Sequence, residues 1–144
     1  MKVFLNLMDN LHFKAKARHF TDIEIDEPES FHGTDKGPSS VEYLLIGVGG
    51  CLGSSFQYCL QKNHIPVQQL NVMVDGTLKH TGSGMHLRLV KINCEIMVSV
   101  KGEYDDLVNK CIQQFKKHCV INESINQGIP LNTTVFKKDN EHSK

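Results

Sequence analysis

The chain has 144 residues, 40% hydrophobic and 22% charged, the balance of a soluble globular chain folded as one domain over residues 1–144 around a single core. Its 16 Lys and Arg match its 16 Asp and Glu, so the formal net charge is zero, which argues against nucleic acid as a main partner because phosphate binding wants a basic excess. Five cysteines, an odd number, do not suit a secreted disulfide framework; the expectation is a cytoplasmic chain whose thiols are reduced at rest.

The opening segment, Met1 to Asp9, reads as a short strand rather than a signal peptide. Val3-Phe4-Leu5 and Leu11 to Phe20 flank an Asp9-Asn10 turn, and Ile23 and Ile25 alternate with acids as on a half-exposed strand. Residues 28–38, with Pro28, Gly33, Gly37 and Pro38, form a loop. Ser39 and Ser40 then offer an N-cap, with Glu42 in the first turn, and the pattern predicts a helix to about Asn63, with Pro66 just beyond. The apolar run Tyr43 to Phe56 is broken by glycines and serines and falls short of the roughly 18 residues of a membrane span, so no membrane contact is expected. The same helix holds Gly47, Gly49, Gly50 and Gly53. An interior glycine costs about 1 kcal/mol against alanine. Four so close together point to another helix, or a ligand, approaching the backbone around Cys51.

Leu70 to His80 and His86 to Lys101 predict a hairpin through Gly82-Ser83-Gly84, with Val90, Ile92, Cys94, Ile96, Val98 and Val100 on one face. Residues 103–118 form an amphipathic helix whose apolar stripe is Tyr104, Leu107, Val108, Cys111, Ile112, Phe115 and Cys119. Asp105 and Asp106 in its first turn and Lys116, Lys117 and His118 in its last match the helix dipole. A final strand is expected over Ile129 to Phe136, and a frayed tail from Lys137.

The cysteines carry the candidate chemistry. A thiol attacks as thiolate, so a reactive cysteine needs a stabilising neighbour and access. Cys51 is either inert core of an apolar helix or a nucleophile, and the space left by its glycine neighbours favours the second. Cys119 either closes the apolar stripe or, at a helix end whose dipole disfavours a thiolate, serves as a resolving thiol on a movable segment. Cys59, Cys94 and Cys111 read as core thiols; Cys59 lies about 80° round the helix from Cys51. There is no Cys-x-x-Cys and no His-x-x-x-His, so no metal is expected. The Gly47-to-Gly53 run lies inside a helix, lacks the last glycine of GxGxxG and has no P-loop lysine, so no nucleotide cofactor is expected either.

Gly37-Pro38-Ser39-Ser40-Val41-Glu42-Tyr43-Leu44-Leu45, followed by Gly49-Gly50-Cys51-Leu52, closely resembles the first-cysteine signature of OsmC/Ohr-type proteins. Lys117-His118-Cys119-Val120-Ile121-Asn122-Glu123-Ser124-Ile125 is similar to their second-cysteine motif, and Asp26 with Gly33-Thr34-Asp35 looks like the approach to the first. The resemblance spans nearly the whole chain and is closer to the general OsmC-like branch. It implies an α+β fold in which antiparallel sheets wrap two central helices of an intertwined homodimer. It also implies a peroxidase acting on organic hydroperoxides or hydrogen peroxide, part of an oxidative stress response. In that chemistry Cys51 becomes a sulfenic acid, Cys119 resolves it to a disulfide, and a lipoyl-type or thioredoxin-type dithiol resets the pair. The family's thiolate is supported by an arginine held by a glutamate, which carries over to Arg18 and Glu42; Arg88 is the other arginine. Glu42 and Cys51 lie about 180° apart round the helix and about 13 Å apart along it, so Glu42 is better placed to serve the cysteine of a partner chain. The alternative function is a non-catalytic dimeric module that binds a small hydrophobic ligand or senses redox state.

Overall fold

The computed structural model describes residues 1–137, so the expected tail lies, apart from Lys137, outside the described residues. Strands β1 (Val3–Asp9), β2 (His12–Ala17) and β3 (Phe20–Ile25) form an antiparallel sheet in that order. The turn before β2 places Asn10 at φ 46°. Only His12 and Ala15 of β2 are buried in this sheet, and every residue of β1 is exposed, including Phe4, Leu5, Leu7 and Met8. Across the sheet, Glu24 accepts from His12 at 2.5 Å and pairs with Lys14 at 3.2 Å.

Asp26 organises the loop that follows. Its carboxylate, 1% exposed, accepts from the Thr34 hydroxyl at 2.6 Å and from the N–H groups of Glu27, Thr34 and Lys36 at 2.8, 3.1 and 3.2 Å. The Thr34 hydroxyl leads these contacts; with the three N–H groups it outweighs burial and holds the Asp26 pKa at about 2. The loop thus delivers Ser39 to the start of α1 (Ser40–Lys62). Ser39 and Glu42 form a reciprocal capping box: the Ser39 hydroxyl accepts from the Glu42 N–H, and Glu42 accepts from the Ser39 N–H at 2.7 Å. The expected cap, start and end of this helix agree with the structure.

Strands β4 (Gln69–Thr81) and β5 (His86–Ser99) make the expected hairpin. One residue departs from the expected face. The ladder passes from Thr77↔Lys91 to Leu78↔Leu89, so Val90 is a bulge and is exposed, while Ile92, Cys94, Ile96 and Val98 stay half-buried. At two of the α1 glycines the close neighbour is β4: a Cβ on Gly49 would stand 2.7 Å from Val74 Cγ2, and one on Gly53 2.9 Å from Val72 Cγ2, while one on Gly47 would meet Ile121 at 3.9 Å. With 23 residues of largely apolar composition, α1 is long and apolar enough to cross a bilayer by length and composition alone. Its stripe of Val48, Leu52, Phe56 and Leu60 instead forms the core with Val108, Cys111, Phe115 and Cys119.

The expected second helix is divided. A 3-10 turn at Gly102–Tyr104 leads into α2 (Asp105–Gln114), and a second 3-10 turn follows at Phe115–His118. Cys119 then leaves helical geometry, at φ −86° and ψ 108°, and α3 (Val120–Gln127) begins at once on what was expected to be a movable segment. The strand expected over Ile129–Phe136 is not formed; Ile129, Leu131, Val135 and Phe136 are exposed, and no strand among the described residues pairs with them. The alternation is there, but among the described residues neither sheet pairs with it.

Three substitutions test these constraints. Gly49→Ala should destabilise the fold by about 1–3 kcal/mol through overpacking on Val74 in denaturant unfolding, whereas Gly50→Ala, with nothing within 4 Å of its Cβ, should not disturb the packing on β4. Asp26→Asn should lower Tm at neutral pH. Because the native carboxyl is depressed from 3.8 to about 2, its contribution is present above pH 4 and lost as pH falls toward 2, so the two melting curves should converge there.

Candidate thiol site

Cys51 sits mid-α1, half-buried, on the side of the helix that meets the end of the second helical segment. Cys119 lies at the junction of the 3-10 turn and α3 and is fully buried. Their sulfurs are 2.7 Å apart, with the Cys119 thiol donating to Cys51. Two residues separated by 68 positions in sequence are thereby brought into contact.

Cys119 has a second role that the sequence pattern missed: it is the N-cap of α3. Its Sγ accepts from the Asn122 N–H at 3.4 Å, and its carbonyl accepts from the Glu123 N–H at 3.1 Å. The expectation that Cys119 faces the negative end of a dipole is therefore corrected. The helix before it has ended in a 3-10 turn, and the positive end of α3 begins at Cys119 itself. The sequence signal available was a Cys-x-x-Asn step followed by renewed apolar spacing at Val120, Ile121 and Ile125.

This end of α3 acts on Cys51. Burial is the largest single influence on the Cys51 thiol and pushes its pKa up. Hydrogen bonds from the Cys119 thiol, the Ile121 N–H, the Ser55 hydroxyl and the Val120 N–H together outweigh it, so the pKa falls below the ordinary thiol value. For Cys119, burial is again the largest influence, and donation to Cys51 raises the pKa further, against weaker help from the Asn122 and Ile121 N–H groups. The pair is polarised, with Cys51 the thiolate side and Cys119 the protonated side. Ser55, one helical turn after Cys51, was also missed as part of this arrangement.

The other two candidates stand elsewhere. Arg18 occupies the β2–β3 turn at φ 56°, its guanidinium 5.3 Å from the centroid of the Phe20 ring. Arg88 lies on β5 opposite Lys79. Neither guanidinium is among the groups acting on Cys51 within the chain. Glu42 is held by Ser39, which lowers its pKa first through the Ser39 N–H and then through the hydroxyl. It borders a cavity with Pro38, Gly49, Gly50 and Val72, whose lining does not include Cys51.

The remaining cysteines bring a further correction. Cys59 and Cys111 are joined in a disulfide between α1 and α2, where free core thiols were expected. Helix pairing, which composition does not show, makes them neighbours. Cys94 is a free thiol on β5 whose pKa burial raises. Among the described residues no His, Cys, Asp and Glu side chains group to hold a metal ion.

A sequence profile described as OsmC-like protein matches residues 33–134, which takes in both cysteine motifs and every element from α1 to α3. The chain belongs to the OsmC-like family. Solved structures agree on the OsmC-like α+β fold. An OsmC-like protein from Mycoplasma pneumoniae superposes with TM-score 0.72 at 17% identity, over 87% of this chain and 86% of that one. An organic hydroperoxide resistance protein from Legionella pneumophila gives TM-score 0.57 at 14% identity, over 86% and 87%. The organic hydroperoxide resistance protein OhrB of Bacillus subtilis gives 0.57 at 15%, over 85% and 87%. No curated protein matches the chain. At these identities the structures establish the shared fold.

Cys119→Ala removes the thiol donor to Cys51, while Cys119→Ser keeps an O–H in its place. Alkylation of Cys51 by iodoacetamide, followed against pH, should show a higher midpoint for the alanine variant than for the serine variant. Equal midpoints would show that the Cys119 donor does not set Cys51's ionisation.

Proposed function

We propose that this OsmC-like protein is a thiol peroxidase that reduces organic hydroperoxides or hydrogen peroxide through Cys51 and Cys119. The observation that carries this is the 2.7 Å contact between a sulfur whose ionisation is favoured and one whose ionisation is not. Peroxide reduction needs that asymmetry. The Cys51 thiolate attacks the terminal peroxide oxygen; an S–O bond forms, the O–O bond breaks, and the leaving alkoxide takes a proton to become the alcohol. Cys119 then attacks the sulfenic sulfur, forms the Cys51–Cys119 disulfide and releases water. A lipoyl-type or thioredoxin-type dithiol reduces that disulfide and leaves as its own disulfide.

A second copy of the chain completes this reading. The exposed apolar face of β1 and the open side of α1, with Leu44 at 45% and Ile46 at 58% exposure, are what a homodimer interface would cover. Glu42 and Arg18 would then support the thiolate from the partner, since within one chain neither acts on it. A cytoplasmic location accords with a free thiol pair. The second function, a module for a small hydrophobic ligand, is favoured by one feature. A cavity of about 460 Å³ lies between α1, β5 and the second helical segment, lined by Val48, Phe56, Ile92, Ile96 and Phe115, with Lys116 at its wall.

Reduced protein mixed with stoichiometric cumene hydroperoxide should lose two thiols, and peptide mapping by mass should place them at Cys51 and Cys119. Cys51→Ser should abolish the loss. Selective oxidation that is absent, or that survives Cys51→Ser, would remove the peroxidase reading and leave the binding module.

A further inference from the structure

The two cysteine pairs have a common geometry. Cys59 follows Cys51 by eight residues along α1, and Cys119 follows Cys111 by eight residues along the second helical segment. The segments run antiparallel, so Cys51–Cys119 and Cys59–Cys111 are two rungs of one ladder, about 12 Å apart along α1. Phe56 and Phe115 fill the gap with ring centroids 5.0 Å apart. At that separation the rungs cannot exchange sulfur partners directly.

The second rung is open to solution on one side. A cavity of about 690 Å³ is lined by Ser54, Tyr58, Cys59, Lys62, Asn63 and His118, among others, and Cys59 is half-buried at its wall. Cys111 is fully buried behind it. Asn63 Nδ2, at the end of α1, lies 3.5 Å from Cys111 Sγ and 3.7 Å from Cys59 Sγ, a donor ready for a departing thiolate. Lys62 and His118 put cationic or protonatable groups where an anionic nucleophile would enter.

We propose that Cys59–Cys111 is a second redox couple, opened by a small dithiol that enters this cavity, and that its closed state is a clamp holding Cys119 in register with Cys51. In the opening step the dithiol's thiolate attacks Cys59 Sγ, a mixed disulfide forms, and Cys111 leaves as thiolate toward Asn63. The dithiol's second sulfur then attacks its own half of the mixed disulfide, freeing Cys59. Two electrons and two protons pass to the protein, and the reductant leaves as a cyclic disulfide. The opening is independent of the peroxidase reading; the clamp's effect on turnover rests on it.

The opening is tested in protein carrying Cys51→Ser and Cys119→Ser, where Cys59–Cys111 is the only pair. Dihydrolipoamide under native conditions, followed by acid quench and maleimide labelling, should add labels at Cys59 and Cys111 and reverse on reoxidation; Asn63→Leu, which keeps these cysteines, should open more slowly. Labels that appear before reductant, or only after unfolding, would overturn the couple. The clamp is tested in protein carrying Cys59→Ser and Cys111→Ser, with folding checked by circular dichroism. Cys51 sulfenic acid should form at the parental rate, while closure to Cys51–Cys119 slows on the order of tenfold, a modest share of what misplacement of a reacting group can cost, so that more sulfenic acid is trapped by dimedone. Should that variant unfold, the same comparison between clamp-open and clamp-closed parental protein replaces it. Closure at an unchanged rate would overturn the clamp. Absence of sulfenic acid in the parental protein would instead strike the peroxidase reading and leave the opening result standing.

Discussion

The close approach of β4 to α1 is the constraint on which the rest is built. At Gly49 and Gly53 the strand lies where any side chain would collide with Val74 or Val72. That contact fixes which face of α1 turns to the sheet. The stripe of Val48, Leu52, Phe56 and Leu60 is then committed to a core shared with α2 and the turns that follow it. Cys51 and Cys59 border that stripe, so a steric requirement on one face of α1 determines which residues its sulfurs meet on the other. The cost of glycines in a helix, about 1 kcal/mol each, is offset by close packing rather than wasted.

The electrostatics of the site follow from backbone geometry more than from charged side chains. Among the described residues no Lys, Arg or His contributes to the lowered pKa of Cys51; the donors are a thiol, a hydroxyl and two N–H groups at the start of α3. These dipoles come into place because the chain breaks its helical run at Cys119 and restarts it at once. A single uninterrupted helix over the same residues would turn those N–H groups into its own ladder and leave none for sulfur.

Much of this was legible in the sequence, and the exceptions share a cause. The Ser39–Glu42 cap, the length of α1, the hairpin and its turn follow from local spacing, and local spacing decides them. The family was legible because two motifs sit in the right order around those elements. Patterns that depend on pairing were not. Nothing in the alternation of residues 86–100 marks Val90 as a bulge, because a bulge is a property of two strands. Nothing in either helical segment alone shows that Cys59 and Cys111 meet. The stripe over 103–118 is continuous in apolar spacing and so hid the change to a 3-10 turn at Phe115 and the break at Cys119. The apolar alternation over Ile129–Phe136 reads as a strand but finds no partner among the described residues.

The cap of α3 ties the state of one atom to the order of a whole element. A helix of eight residues is too short to persist on its own, and α3 has no fully buried residue to anchor it. Its first turn is held by the sulfur and carbonyl of Cys119. Any change in the bonding of that sulfur alters the acceptor facing the Asn122 amide, so chemistry at the thiol pair is written into how tightly the neighbouring backbone keeps its hydrogens. The amide protons of α3 form a natural gauge of oxidation state, readable in solution without a label or a substrate.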